Sequence, residues 1–137
     1  MRKIALAIAA TAVMLGGATV QAKPKLTPQQ RLDKLLEGRE AGEPVSCIPQ
    51  FETRDMQVLD KTAIVYGRGA TIWVNVPKNV EHLDDDDILL TKTNGSQLCD
   101  LDIVQTLDRT SQIPNGFLNL GKFVPYRKVP KPAAPAS

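Results

Sequence analysis

The groups in this chain that could do chemistry are few, and their spacing matches no familiar reaction centre. His82 is the single histidine. It follows Glu81 in a polar connecting stretch, where an imidazole is ordinarily solvated and not a general base. A serine nucleophile would need that histidine together with Ser46, Ser96 or Ser111, and none of these stands in the Gly-x-Ser-x-Gly turn that presents a nucleophile. The histidine and cysteines lack zinc-ligand spacing, and Gly67-x-Gly69 reads as a hairpin turn, not as a phosphate-cradling loop. Paired carboxylates could cleave a glycosidic bond, but such enzymes hold sugars in an aromatic-lined cleft. One Trp, two Tyr and three Phe, several needed for packing, do not furnish one. Asp108-Arg109-Thr110 offers a charged pair beside a turn, where a local ion pair or turn cap is the commoner use. No residue is therefore assigned a catalytic or cofactor-binding role.

Cys47 and Cys99 carry the clearest chemistry. They are the two cysteines of the chain and are not in a C-x-x-C redox spacing, so one structural disulfide is expected. In the chain-entropy account, closing a loop of some fifty residues stabilises by roughly 4 kcal/mol. A disulfide implies an oxidising compartment, and the N-terminus agrees. Arg2 and Lys3 precede an uncharged stretch from Ile4 to Val20, and Val20-Gln21-Ala22 has the form of a cleavage site. The stretch is interrupted by Gly16-Gly17 and falls short of the roughly 20 residues of a membrane span. A signal peptide over residues 1–22 is predicted, with cleavage after Ala22, a periplasmic or secreted location, and no stable membrane anchor afterwards.

Cleavage changes the charge balance. Of 17 basic residues Arg2 and Lys3 leave with the signal, while all 15 acidic residues lie beyond it, so the exported chain is formally neutral. Nucleic-acid binding, which needs a basic stripe, is not expected.

The elements that must position these groups read as α+β. Thr27-Pro28-Gln29-Gln30 has capping-box spacing with proline at the first helical position. Leu32, Leu35 and Leu36 then form one apolar stripe. This N-terminal amphipathic helix is expected to pack on a small, mostly antiparallel sheet of about five or six strands, with a partly open barrel as the alternative. Strands are predicted near Val45–Ile48, Met56–Leu59, Ala63–Tyr66 and Ala70–Val76, the last two joined through Gly67-Arg68-Gly69. The alternation leaves open which side of Trp73 is buried. Pro114-Asn115-Gly116 marks a turn, and Phe117 to Val124 closes the core. The domain is placed at residues 23–126, followed by a disordered Pro/Ala/Lys tail over 127–137.

Asn94-Gly95 is the preferred two-residue hairpin turn, and it sets a register. Pairing Thr93 with Ser96 puts Leu90 opposite Cys99 and makes Ile88, Leu90, Cys99, Leu101 and Ile103 a core face. The same register places Asp87 opposite Asp102, with Asp85 and Asp100 near by. A patch of like charges invites a cation, so weak binding of calcium, a hard ion that takes carboxylate oxygens, is expected at Asp85, Asp87, Asp100 and Asp102. Asp84 to Asp87 also serve as charges guarding an exposed sheet, and the spacing is not that of a dedicated calcium loop.

The segments Pro44 to Pro49, Gly95 to Cys99, Leu107 to Thr110 and the ending Gly121-Lys122-Phe123-Val124-Pro125-Tyr126 resemble a family of small secreted bacterial domains of unknown function. That family has two cysteines and a Phe-Val-Pro-Tyr ending. The resemblance implies export and a disulfide and brings no activity. The expected role is a binding or structural module of the cell envelope, with an envelope protein or ligand as partner. The alternative is a small periplasmic hydrolase or other enzyme without a recognisable motif. A flat exposed sheet face favours the binder, and a pocket of converging polar groups favours the enzyme.

Overall fold

A computed structural model describes residues 16, 17 and 19–130. Most of the predicted signal peptide, and the tail from position 131, lie outside the described residues. Helix α1 (Pro28–Leu36) begins as its capping box requires. Thr27 Oγ1 accepts from Gln30 N (3.2 Å) and Gln30 Oε1 accepts from Thr27 N (2.9 Å), which satisfies two donors the first turn leaves open. It stops before Gly38, whose φ of +70° a side chain would resist.

Ten strands follow: β1 (Arg39–Ala41), β2 (Cys47–Pro49), β3 (Met56–Leu59), β4 (Ala63–Tyr66), β5 (Thr71–Asn75), β6 (Ile88–Thr91), β7 (Gln97–Cys99), β8 (Ile103–Leu107), β9 (Pro114–Asn119) and β10 (Phe123–Lys128). Short 3-10 turns at Gln50–Arg54 and Val80–His82 join them. Every pairing is antiparallel. The strands form a five-stranded sheet in the order β1-β10-β5-β4-β3, a three-stranded sheet β6-β8-β9, and the pair β2-β7. The α+β class therefore holds, with ten strands among the described residues in place of five or six. The sheets stay open and make no barrel, and the helix starts at Pro28, not at the chain's N-terminus.

Strand periodicity explains why the large sheet is covered on both faces. From one face Leu59, Ala63, Val65, Ile72 and Val74 pack with Leu32 of α1. From the other, Ile64, Tyr66 and Phe123 join Ile48, Leu83, Leu98, Val104, Leu118 and Leu120 of the smaller sheets and loops. All four residues of β4 are buried as a result. The side of Trp73 is also decided, because it packs half-buried against this second core, away from the helix.

The turn Gly67-Arg68-Gly69 forms as expected, with positive φ at both glycines and Tyr66 paired with Trp73 across it. The Asn94-Gly95 hairpin does not. Gly95 has the positive φ of a turn, but β6 pairs with β8 (Leu90 opposite Gln105), while β7 pairs with β2 (Cys99 opposite Cys47). The face proposed as core is consequently outside: Leu90, Leu101 and Ile103 are exposed, and Leu98, Val104 and Leu118 are the buried residues. Pro114, Asn115 and Gly116 begin β9 and are not a turn. The last strand runs on through Arg127 and Lys128, which pair with Glu40 and Arg39, so these two residues belong to the sheet and not to the disordered tail expected from position 127.

Candidate functional site

The outer face of β6-β8-β9 is the surface most unlike a solvated exterior. Registers Leu90 opposite Gln105 and Gln105 opposite Phe117 place those three side chains in one row. On β8 the same face carries Ile103, two residues from Gln105. Leu90 is 42% exposed, Ile103 58% and Phe117 57%, and Leu101, on the turn entering β8, is 85% exposed. Together with Lys92, Asn94 and Asp102 they line a shallow groove of about 530 Å³, within the range of roughly 300–1,000 Å³ that ligand sites occupy.

Local chemistry explains why this face turns outward. Asp102 Oδ2 accepts from Cys99 N (2.7 Å), and Asp102 N donates to Cys99 O (3.0 Å), closing a turn that ends β7 and starts β8. That turn interrupts the single strand expected from Ser96 to Val104. Its sequence signal is the short Asp side chain at position 102, which bonds the backbone three residues earlier.

The edges of this sheet differ. Along β9, Asn79 caps the ladder: its Nδ2 donates to Phe117 O (2.9 Å), its Oδ1 accepts from Asn119 N (2.9 Å), and Lys78 N donates to Asn119 O (2.8 Å). Among the described residues β6 has one neighbouring strand, β8, and its other side is a free edge. Lys92 follows that edge and has no acidic partner among the described residues.

The four carboxylates expected to share calcium are engaged separately. The β6–β7 pairing that would have aligned them is not made. Asp85 lies 3.9 Å from Arg31, Asp87 Oδ1 accepts from Asn115 Nδ2 (2.9 Å), and Asp100 is 3.5 Å from Lys122 Nζ. Asp102 is held in the turn just described. Among the described residues the carboxylates that do approach one another are those of Asp60, Asp84 and Asp85, within 4.8 Å. Surface acids crowd in this way without a cation, so the cluster specifies none.

His82 is exposed, with Nε2 3.6 Å from Glu81, while Ser46 accepts from Lys122 Nζ (2.9 Å) and Ser111 Oγ donates to Asp108 (2.9 Å). No histidine–serine pair is assembled from these. Asp108 and Arg109 do not pair with each other. Asp108 Oδ1 accepts from the N–H groups of Ser111 (2.7 Å) and Thr110 (2.9 Å), and these bonds, Ser111's foremost, hold its carboxyl below the usual range. Arg109 Nε donates to Asp86 O (2.9 Å). The segment is a capped loop tied to the β6 approach.

The disulfide Cys47–Cys99 is formed and staples β2 to β7. No helix among the described residues is long and apolar enough to cross a membrane. No protein-family model, no curated protein and no solved structure matches the chain. The likeness read from the Phe-Val-Pro-Tyr ending thus has no match behind it.

Proposed function

We propose that this chain is an exported binding module of the cell envelope, and that it recognises an extended apolar segment of a partner protein laid along β6. The observation that carries the reading is the exposed row of Leu90, Ile103 and Phe117 with Leu101 beside it. Contiguous apolar surface of this kind is uncommon on a monomer and marks interaction sites.

The free edge selects the kind of partner. A strand added to β6 gains backbone hydrogen bonds there, and its alternate side chains extend the apolar face beyond Leu90. Lys92 favours an acidic residue at the end of the incoming segment. Export is supported by the layout of residues 1–22 and by the Cys47–Cys99 bridge, which persists in oxidising compartments.

Site-specific photocrosslinking in whole cells tests this. A photoreactive residue at Leu90 should give a discrete product whose partner peptide, made synthetically, binds the purified protein and protects the β6 amides from exchange. Leu90→Asp, at the edge strand itself, should abolish peptide binding and the protection. Equal crosslinking from Lys34 on α1, or peptide binding indifferent to Leu90→Asp, would remove the sheet face from consideration.

A further inference from the structure

On the opposite side of the large sheet, a cavity of about 230 Å³ opens where the end of α1 meets the β4–β5 turn and the start of β3. Leu35, Val65 and Ile72 supply apolar lining, and the charged lining is Arg39, Arg54 and Arg68 against one carboxylate, Asp55. That carboxylate is taken, because Arg68 Nη2 lies 2.9 Å from Asp55 Oδ1. Arg39 is half-buried and clamped by carbonyls: Nε donates to Leu35 O (3.1 Å), Nη1 to Ala70 O (3.1 Å) and Nη2 to Gly69 O (2.8 Å). Carbonyl dipoles hold a guanidinium in place but leave its net charge uncancelled. Neither Arg39 nor Arg54 has an ion-pair partner among the described residues.

Two uncompensated cations over an apolar floor describe a particular ligand. Positive charge without an ion-pair partner attracts an anion, and guanidinium forks match a carboxylate. Leu35 and Met56, which line the cavity and keep accessible surface, reward an apolar body attached to it. The cavity is smaller than the roughly 300 Å³ at which drug-sized sites begin, so the body is short. We propose that this cavity binds a carboxylate borne on a short apolar group, with Arg54 contacting the anion and Arg39 supplying fixed positive potential behind it. A free short-chain acid and the C-terminal residue of a peptide share that chemistry.

The test is a titration of the isotope-labelled full domain, followed by amide chemical shifts. Probes are propionate, butyrate and hexanoate, inorganic phosphate, and a short peptide ending in leucine as free acid and as amide. Saturable shifts should concentrate at Arg39, Gln57, Gly67 and Gly69, and affinity should rise from propionate to hexanoate. Arg54 is exposed, so Arg54→Gln should fold normally while weakening binding roughly tenfold or more. Tighter binding of the free-acid peptide than of hexanoate identifies a chain terminus as the ligand, and the reverse order identifies a free acid. Absence of saturation at millimolar acid, phosphate equal to hexanoate, the amide equal to the free-acid peptide, or an unchanged Arg54→Gln affinity would each overturn the proposal.

Discussion

Tyr66 and Asn75 are buried polar residues with opposite settlements. The Asn75 amide donates to Gly121 O (2.7 Å) and accepts from Gly121 N (3.0 Å), pinning the β9–β10 connection to the end of β5. A Cβ at Gly121 would overlap the Val76 carbonyl oxygen, so the bond requires glycine there. Tyr66 packs its ring on Phe123, centroids 5.8 Å apart, but its hydroxyl has no partner among the described residues. Removing an unpartnered hydroxyl is nearly neutral, so Tyr66→Phe should leave stability near neutral pH within about 0.5 kcal/mol of the parent or raise it. Burial also pushes the Tyr66 hydroxyl's pKa above the ordinary 10.0. The folded state then keeps its proton where the unfolded chain loses it. That contribution is full below the unfolded pKa and disappears as pH rises toward the folded one. Urea unfolding at about pH 7 and about pH 11 should therefore show a steeper alkaline loss for the parent than for Tyr66→Phe. Equal losses would mean that Tyr66 ionises freely in the fold.

At the scale of elements, the three-stranded sheet decides which leucines matter. Leu118 is fully buried and its truncation to alanine should cost about 2–5 kcal/mol. Leu90→Ala, on the exposed face, should stay within about 0.5 kcal/mol, as surface substitutions do. Paired urea titrations check the contrast, and equal losses would place Leu90 in the core after all. Much of the fold was legible where local chemistry and tertiary need agree. The Thr27 capping box, the Gly67–Gly69 turn and β3 all formed as read. The Asn94-Gly95 hairpin was misread because its turn chemistry is local, whereas the pairing is settled by distant strands. Ile88-Leu89-Leu90 is apolar on both faces, so alternation cannot say which side is inner. Val104 and Thr106 against Ile103 and Leu107 is ambiguous in the same way. The candidate groove and the Arg39 clamp were illegible for a related reason. Each joins residues from several separate elements, and no spacing along the chain records that.

For the whole molecule, the bridge between Cys47 and Cys99 spans a sequence separation of 52 and ties together a two-stranded sheet that would be marginal alone. Replacing both cysteines by serine should cost about 4 kcal/mol, a large share of the roughly 5–15 kcal/mol of a typical domain. The loss should be uneven. Amide exchange should quicken at Ile48 and Leu98 and stay slow at Val65 and Val74, whose sheet does not depend on the bridge. Uniformly faster exchange would mean that the two cores open as one unit.

The position of β10 has a further consequence for how the chain is made. It lies between β1 and β5, so β1 has no partner strand until Phe123–Lys128 arrives, although β5, β4 and β3 can already pair. Whatever emerges N-terminus first, from a ribosome or through a membrane pore, presents β1 and β5 long before the strand that joins them. Both cores wait as well, since Phe123 belongs to one and Tyr126 packs against the other. Vectorial emergence therefore leaves β1 unpaired and both cores incomplete until residues 123–128 are out. A chain with this strand order can pair β3, β4 and β5 early but completes neither core before its tenth strand is in place.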